Sequence, residues 1–388
     1  MTELKVFSLN VWGIPYISKD KSLRMEALAE ALKSKDYDIV CLQEIWDTND
    51  YELIYSKIKS RMPYKYYYYS GLLGSGLCTF SKWPIVETFY YKFPLNGYVH
   101  KIHHGDWFAG KGVALAKLEV NGKIINVFNT HLHAQYCQEN DEYLSHRLSQ
   151  AYEAGQLVRL GSEGSALTLF LGDFNSKPSD ICSKVLRTIP GLQDAFIHYE
   201  NDSDYGTNET TRNSYTPPEV LRRNPFGGRL DYILFKSNSQ HEAKSLKYGF
   251  ALPDRIPNCD VSYSDHEAIE ATIELKEKAT KTPHQHEDIQ EVLHHSYNIC
   301  DNGLREVANK LRHLKISFLV LVALLAACVL VQIDKDHHFS SFIWFILYFP
   351  QFFLLAVICF YYVLSWIEFQ SLCGFQNSLA VLGTPLPT

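Results

Sequence analysis

Ala166-Leu167-Thr168-Leu169-Phe170-Leu171-Gly172-Asp173-Phe174-Asn175 is an apolar run that closes on two oxygen-bearing side chains. It reads as a buried strand, and neither Asp nor Asn favours a strand. Strand side chains alternate with period two, so Asp173 and Asn175 leave the chain on the same side. Further along, Ser264-Asp265-His266 sets a carboxylate beside a group that titrates near neutrality. Together the two runs point to acid–base chemistry around a hard metal ion.

Working outward, the same arrangement recurs. Asn10 ends an apolar run over residues 4–10, Glu44 ends Ile39-Val-Cys-Leu-Gln43, and His131 ends Ile124-Ile-Asn-Val-Phe-Asn-Thr130. Polar groups at so many strand ends are what a rigid scaffold needs to offer side chains to a cleft. Between them, apolar stripes predict helices over 22–33, 53–58 and 142–160, and Asn121-Gly122 predicts a tight hairpin. Mixed hairpins and crossovers give an α+β domain of two packed sheets with helices outside.

A physical assignment follows. Mg²⁺ takes oxygen ligands, keeps several waters and uses one or two carboxylates plus a substrate phosphate, with Mn²⁺ able to substitute. Glu44 is the best ligand, with Asn10 next to it. His266 is the best general base, with Asp265 as its neighbour and Asp231, in Gly228-Arg-Leu-Asp231-Tyr-Ile-Leu234, as the orienting carboxylate. A salt bridge from Asp231 to Arg229 is the alternative. Asp173, Asn175 and His131 would hold the phosphate and stabilise the pentacovalent charge. Gly110-Lys111-Gly112 is too short for a Walker A loop, leaving Lys111 either as a point charge for phosphate or as a turn lysine. Trp107 and Phe108, with Tyr64 and Tyr66–Tyr69, suit either a headgroup interface or an aromatic core.

The chain has 388 residues and a formal charge of −6, a poor footprint for non-specific nucleic-acid binding. Nine cysteines without a CxxC pair argue against a zinc ribbon and fit a reducing compartment. The sequons at Asn201 and Asn208 point the other way and are common by chance. Residues 1–275 form the expected catalytic domain and 276–315 a charged linker and stalk, whose His284, His286, His294 and His295 read as solvated. Two uncharged stretches, 316–333 and 339–367, predict a transmembrane hairpin, followed by a tail over 368–388. Lys310, Arg312 and Lys315 flank the first stretch, placing the catalytic domain in the cytosol by the positive-inside rule.

Asn10-Val-Trp-Gly, Leu42-Gln-Glu44, Asn129-Thr-His131-Leu, Gly172-Asp-Phe-Asn175, Leu230-Asp-Tyr and Ser264-Asp-His266 resemble, in that order, the deoxyribonuclease-I-like endonuclease/exonuclease/phosphatase superfamily. The resemblance implies a four-layer α/β-sandwich, a divalent metal at Glu44 and in-line phosphoester hydrolysis with His266 as base. Leu9-Asn-Val-Trp-Gly-Ile-Pro15, Gln43-Glu-Ile-Trp-Asp47 and Gly105-Asp-Trp-Phe-Ala-Gly-Lys-Gly112 look like the membrane-bound neutral sphingomyelinases within it. That similarity implies cleavage of a choline sphingolipid, sphingomyelin, to ceramide and phosphocholine with Mg²⁺. It implies an integral anchor in an intracellular membrane, the endoplasmic reticulum favoured. A tethered nuclease or phosphatase acting on lysophospholipid, phosphoinositide or nucleic acid is the runner-up. A non-catalytic membrane adaptor would have no need of Glu44, Asp173, Asn175, Asp265 and His266 together.

Overall fold

A computed structural model describes residues 1–137, 139–198, 205–278, 289–333 and 341–383. His284, His286, the sequon residue Asn201, the loop 334–338 and Phe339 lie outside the described residues. Strands β1 (Thr2–Asn10), β2 (Ile39–Gln43), β3 (Tyr64–Tyr68) and β4 (Leu77–Ser81) open the chain. Then come β5 (Ile85–Lys92), β6 (Gly112–Val120), β7 (Lys123–His131), β8 (Leu167–Asp173), β9 (Gln193–Asp194) and β10 (Asp231–Ser237). Strands β11 (His241–Phe250) and β12 (Ile269–Glu277) complete two six-stranded mixed sheets, ordered β11-β12-β1-β2-β4-β3 and β5-β6-β7-β8-β10-β9.

Period-two alternation sorts each strand into an inner and an outer face. Leu4 and Val6 of β1, Ile39 and Cys41 of β2, Ile125 and Val127 of β7 and Leu167, Leu169 and Leu171 of β8 meet between the sheets. Each such side chain fully buried contributes about 1.5–3 kcal/mol. Phe7 and Leu9 point the other way, under α1 (Lys21–Ser34) and α2 (Thr48–Ile58). Phe128 and Phe170 form the outer face of the second sheet, beneath α3 (Leu144–Gly161), whose Gly161 lies against the Phe128 ring. The helix α4 (Ile181–Thr188) packs beside α3, and α5 (Pro218–Arg223) is a short surface turn. The expected four layers are therefore present. Asn121 and Gly122 both take positive φ between β6 and β7, as the hairpin reading requires.

The Tyr64–Tyr68 run, read either as an interface or as core aromatics, is the edge strand β3, with Tyr67 and Tyr68 buried and Tyr66 exposed. Strands β5, β9 and β11 were not legible in the sequence; β11 is an edge strand so rich in exposed Lys and Glu that no apolar alternation survives.

Residues 293–388 form a second compact unit. Helices α6 (Ile289–Ile333) and α7 (Ser341–Gly383) each contain an 18-residue window, of mean hydropathy 2.4 and 2.0, long and apolar enough to cross a membrane. Pro350 lies inside α7. Helix α7 does not end at Ile367; it continues through Gly383, antiparallel to the polar half of α6. The Cys300 thiol donates to the Leu372 carbonyl at 3.4 Å, Gln376 Nε2 donates to Asp301 Oδ1 at 3.4 Å, and Lys310 pairs with Glu368 at 3.5 Å. Leu304, Val307, Leu311, Leu372, Phe375 and Leu379 are buried along this seam.

Candidate active site

The inner-face phase of each central strand ends on a polar residue. Continuing Leu4, Val6 and Ser8 leads to Asn10; Ile125, Val127 and Asn129 lead to His131; Leu167, Leu169 and Leu171 lead to Asp173. The sheets pair β1 with β2 and β7 with β8 in parallel, so these ends share one rim. Antiparallel β10 begins there at Asp231, opposite Asp173. The turn carrying His266 arrives just before β12, which runs antiparallel to β1.

Beneath the rim lies a buried polar layer that the sequence reading missed. Gln43 Nε2 donates to Asn129 Oδ1 at 2.8 Å and to Ser8 Oγ at 3.2 Å, and Asn129 Nδ2 donates to the carbonyls of Leu42 and Cys78, each at 3.1 Å. The same alternation that located Asn10 and His131 also reaches Ser8 and Asn129 one step earlier in their strands, and Gln43 at the end of β2 in phase with Ile39 and Cys41.

On this floor the side chains interlock. His266 Nδ1 lies 2.9 Å from Asp231 Oδ2, and its Nε2 lies 3.8 Å from Asp173 Oδ2. Asn10 Nδ2 donates to Glu44 Oε1 at 2.9 Å and to Asp173 Oδ2 at 3.0 Å. Its oxygen accepts from the Trp12 amide at 3.0 Å, so in this arrangement Asn10 orients both carboxylates. Asp173 Oδ1 accepts from the Asn175 amide at 2.9 Å, while Asn175 Nδ2 donates to the Leu132 carbonyl at 2.9 Å. His131 Nε2 stands 3.4 Å from Asp173 Oδ2. Ser264 Oγ ties the turn to β1 through the Asn10 carbonyl at 2.6 Å. Thr207 Oγ1 accepts from the amides of Leu230 and Asp231 at 2.9 and 3.1 Å.

Lys111 is almost fully buried. It pairs with Asp106, donates to the Leu132 carbonyl at 2.9 Å and lies 3.1 Å from His131 Nε2. All three ammonium hydrogens are thus committed to protein atoms, and Lys111 acts on the site through His131 rather than as a free charge in the cleft. Asp106, His133 and Tyr136 join it there; none was singled out from the sequence, although Asp106 lies in the Gly105–Gly112 stretch, because their contacts come from separate loops. Trp107 and Phe108 follow Asp106 in a short 3₁₀ turn, edge to face at 5.1 Å, with Trp107 exposed. Arg229 pairs with Asp194 at 2.7 Å, which leaves Asp231 to His266 and removes the salt-bridge alternative.

Electrostatics separates the roles. Burial alone would depress His266, but Asp231, Asp173 and Asp265 outweigh it and raise its pKa well above the ordinary value. His131 is driven well below its usual range by burial and by Lys111, so it is a neutral imidazole. Burial and then the charge of Asp265 push Glu44 up to about 7. Asp173 is likewise raised by burial. Four carboxylates therefore crowd one rim, Glu44, Asp173, Asp231 and Asp265, while Lys111 is already offset by Asp106. Glu44 Oε2 is buried with no hydrogen-bond partner among the described residues. An orphaned carboxylate oxygen in an excess of negative charge fits a hard divalent cation. Asp173, Asp231 and His266 also bring ligand atoms within 4.8 Å of one another. Their 2.9 Å His266–Asp231 contact suits an acid–base pair, so Glu44 is the better ligand.

A sequence profile of the Endonuclease/Exonuclease/phosphatase family matches residues 7–266. The chain belongs to that family. A Drosophila melanogaster relative is 41% identical over 276 residues, covering 71% of this chain and 61% of its own length. Sphingomyelin phosphodiesterase 2 of Mus musculus is 39% identical over 277 residues, 70% of this chain and 65% of that protein. The chain thus spans less than two thirds of the length of these curated relatives. Inositol phosphosphingolipids phospholipase C of Schizosaccharomyces pombe is 37% identical over 295 residues, 71% of this chain and 69% of that protein. Among solved structures, SmcL superposes with a TM-score of 0.54 at 19% identity, covering 70% of this chain and 99% of that one. TDP2 from Caenorhabditis elegans gives 0.54 at 22%, covering 70% and 75%. These solved structures share the fold of residues in the two sheets and their helices.

Proposed function

We propose that this chain is a divalent-metal-dependent, phospholipase C-type hydrolase that cleaves sphingomyelin to ceramide and phosphocholine at a membrane surface. The observation that carries the chemistry is His266, held by Asp231 at 2.9 Å, facing Asp173 across the rim from the orphaned oxygen of Glu44. His266 Nε2 is placed to take the proton of an attacking water, and Asp231 fixes its tautomer and supports the imidazolium that results. Balancing the rim's negative charge lets the ring titrate nearer its ordinary range. Neutral His131, whose Nε2 accepts from Lys111, has its Nδ1–H left to offer to a phosphoryl oxygen, and Asn175 can turn an amide hydrogen to another from its 3.4 Å contact with Asp173. A divalent cation, when bound at Glu44, would supply Lewis-acid charge stabilisation, and Mg²⁺ suits these oxygen ligands. A neighbouring solved structure, a Staphylococcus aureus beta toxin mutant, holds bound magnesium ions.

The choice of lipid is supported by relatives named for sphingomyelin or inositol phosphosphingolipid hydrolysis. It is supported also by the two membrane-length helices, which as an anchor would hold residues 1–275 at a cytosolic membrane face through the linker 276–315. The test is incubation of the purified protein with labelled sphingomyelin, lysophosphatidylcholine, phosphoinositide and DNA, with and without Mg²⁺. Mg²⁺-dependent phosphocholine release from sphingomyelin is expected; hydrolysis of DNA alone would overturn the reading.

A further inference from the structure

We propose that the stacked side chains of Tyr136 and His104 form the wall on which the quaternary ammonium of a choline headgroup rests. The proposal deepens the substrate reading above and depends on it.

A quaternary ammonium has no N–H, so hydrogen bonds cannot recognise it; an electron-rich ring face can. Tyr136 and His104 stack with centroids 3.8 Å apart and planes within 7°. Tyr136 keeps 42% of its surface exposed, so a ring face is open to a ligand. The wall is held rigidly. Tyr136 Oη lies 2.5 Å from Asp106 Oδ2 and also reaches the His104 carbonyl, and His104 Nδ1 lies 2.6 Å from the hydroxyl of buried Tyr143.

The wall also borders the reacting centre. Asp106 pairs with Lys111, and Lys111 lies 3.1 Å from His131 Nε2. The charge of Glu44 is felt at the Tyr136 hydroxyl as well. The wall is therefore three contacts from His131, through Asp106 and Lys111, on the side of the phosphate-binding groups where the cation of a phosphocholine would lie.

Its electronics suit a cation too. A phenol that donates its proton to a carboxylate carries more π density on its ring. His104 is held below its ordinary pKa by burial and by His103, so it presents a neutral face. The aromatic next to Asn10, Trp12, is unsuitable because the Arg24 guanidinium already lies 4.9 Å from its centroid.

The full-length protein, in mixed detergent micelles, would be assayed on sphingomyelin and on the uncharged 3,3-dimethylbutyl isostere, in which carbon replaces the ammonium nitrogen. The readout is the ratio of kcat/KM for the two. Wild type should favour sphingomyelin about tenfold, the worth of one desolvated cation–π contact. Tyr136→Leu should bring the ratio close to one, and Tyr136→Phe, which keeps the ring, should retain most of it. His104→Lys, at a partly exposed position and so folding independently of the Tyr136 result, should lower the ratio by charge repulsion. Wild-type ratios in both Tyr136→Leu and His104→Lys would overturn the assignment. So would an equal collapse in Tyr136→Leu and Tyr136→Phe, which would move the effect from the ring to the hydroxyl. Wild-type protein that turns over neither lipid would instead overturn the substrate reading, and this inference with it.

Discussion

Asp231 stands directly opposite Asp173 in the antiparallel pairing of β10 with β8, and from that position its Oδ2 holds His266 Nδ1 at 2.9 Å. Two buried carboxylates on neighbouring strands thus divide the work, one gripping the far side of the imidazole and the other facing its Nε2. Asp231→Asn, nearly isosteric, should lower kcat by about 10²–10⁴ while leaving the folded domain intact, and His266→Ala should lower it at least as far. Initial rates on dispersed sphingomyelin, beside matched far-UV circular dichroism, check this; near-normal rates would reject His266 as the base.

Glu44 carries a charge that burial penalises and that no donor other than Asn10 relieves at its first oxygen. Glu44→Gln should therefore raise the melting temperature of metal-free protein by a few degrees and abolish the Mg²⁺-induced thermal shift. Activity should fall by about tenfold or more. A variant that still shifts with Mg²⁺ would place the ion elsewhere.

Asn129→Leu would strand Gln43 Nε2 and two backbone carbonyls in the floor of the site. The expected loss is about 2–3 kcal/mol of unfolding free energy, read from urea denaturation. Loss of less than 1 kcal/mol would show that the layer is not a stabilising seam.

Burial raises the Glu153 carboxyl to about 7 from an ordinary value near 4.5, against hydrogen bonds from Ser149 at 3.1 Å and Tyr91 at 3.2 Å. The folded state therefore prefers the protonated form. Its contribution is whole below the unfolded pKa and is lost as pH rises through 7. Glu153→Gln should remove a decline on the order of 2 kcal/mol between pH 4.5 and 8, once solvent screening at this partly buried site is allowed for. Chemical denaturation at a series of pH values decides it; parallel curves for the two proteins would refute it.

Ending the chain after Lys278 removes both apolar helices and leaves the residues that build the two sheets. That fragment should be soluble and retain activity on detergent-dispersed lipid while losing activity on intact vesicles. Equal activity on vesicles would mean that the helices are not the anchor.

Much of the site was legible because strand alternation is a local property: Asn10, His131 and Asp173 lie in phase with the apolar residues before them. Glu44 escapes that phase rule. It follows β2 with a φ of 59°, a left-handed turn that no propensity marks, and was found as the carboxylate after an apolar run and through the Leu42-Gln-Glu44 resemblance. The partners of Lys111 were not legible at all. Asp106 and His131 are brought to it by a loop and a neighbouring strand, and a lysine between glycines reads from sequence equally as a charge for phosphate or as a turn lysine.

Because β1, β7 and β8 carry their functional groups in the same phase as their core residues, a slip of one residue in pairing would exchange Asn10 for Leu9 or Asp173 for Gly172. Folding and chemistry therefore share a single proofreading step. A chain that has assembled its oily interior correctly has, by that act, also aimed its acids and bases. The loop stretches beyond Glu44, Asp106, Lys111, Asn175 and His266 bear no such obligation. They can lengthen, shorten and change side chains, so new headgroups can be accommodated at their tips while the hydrolytic centre stays as it is.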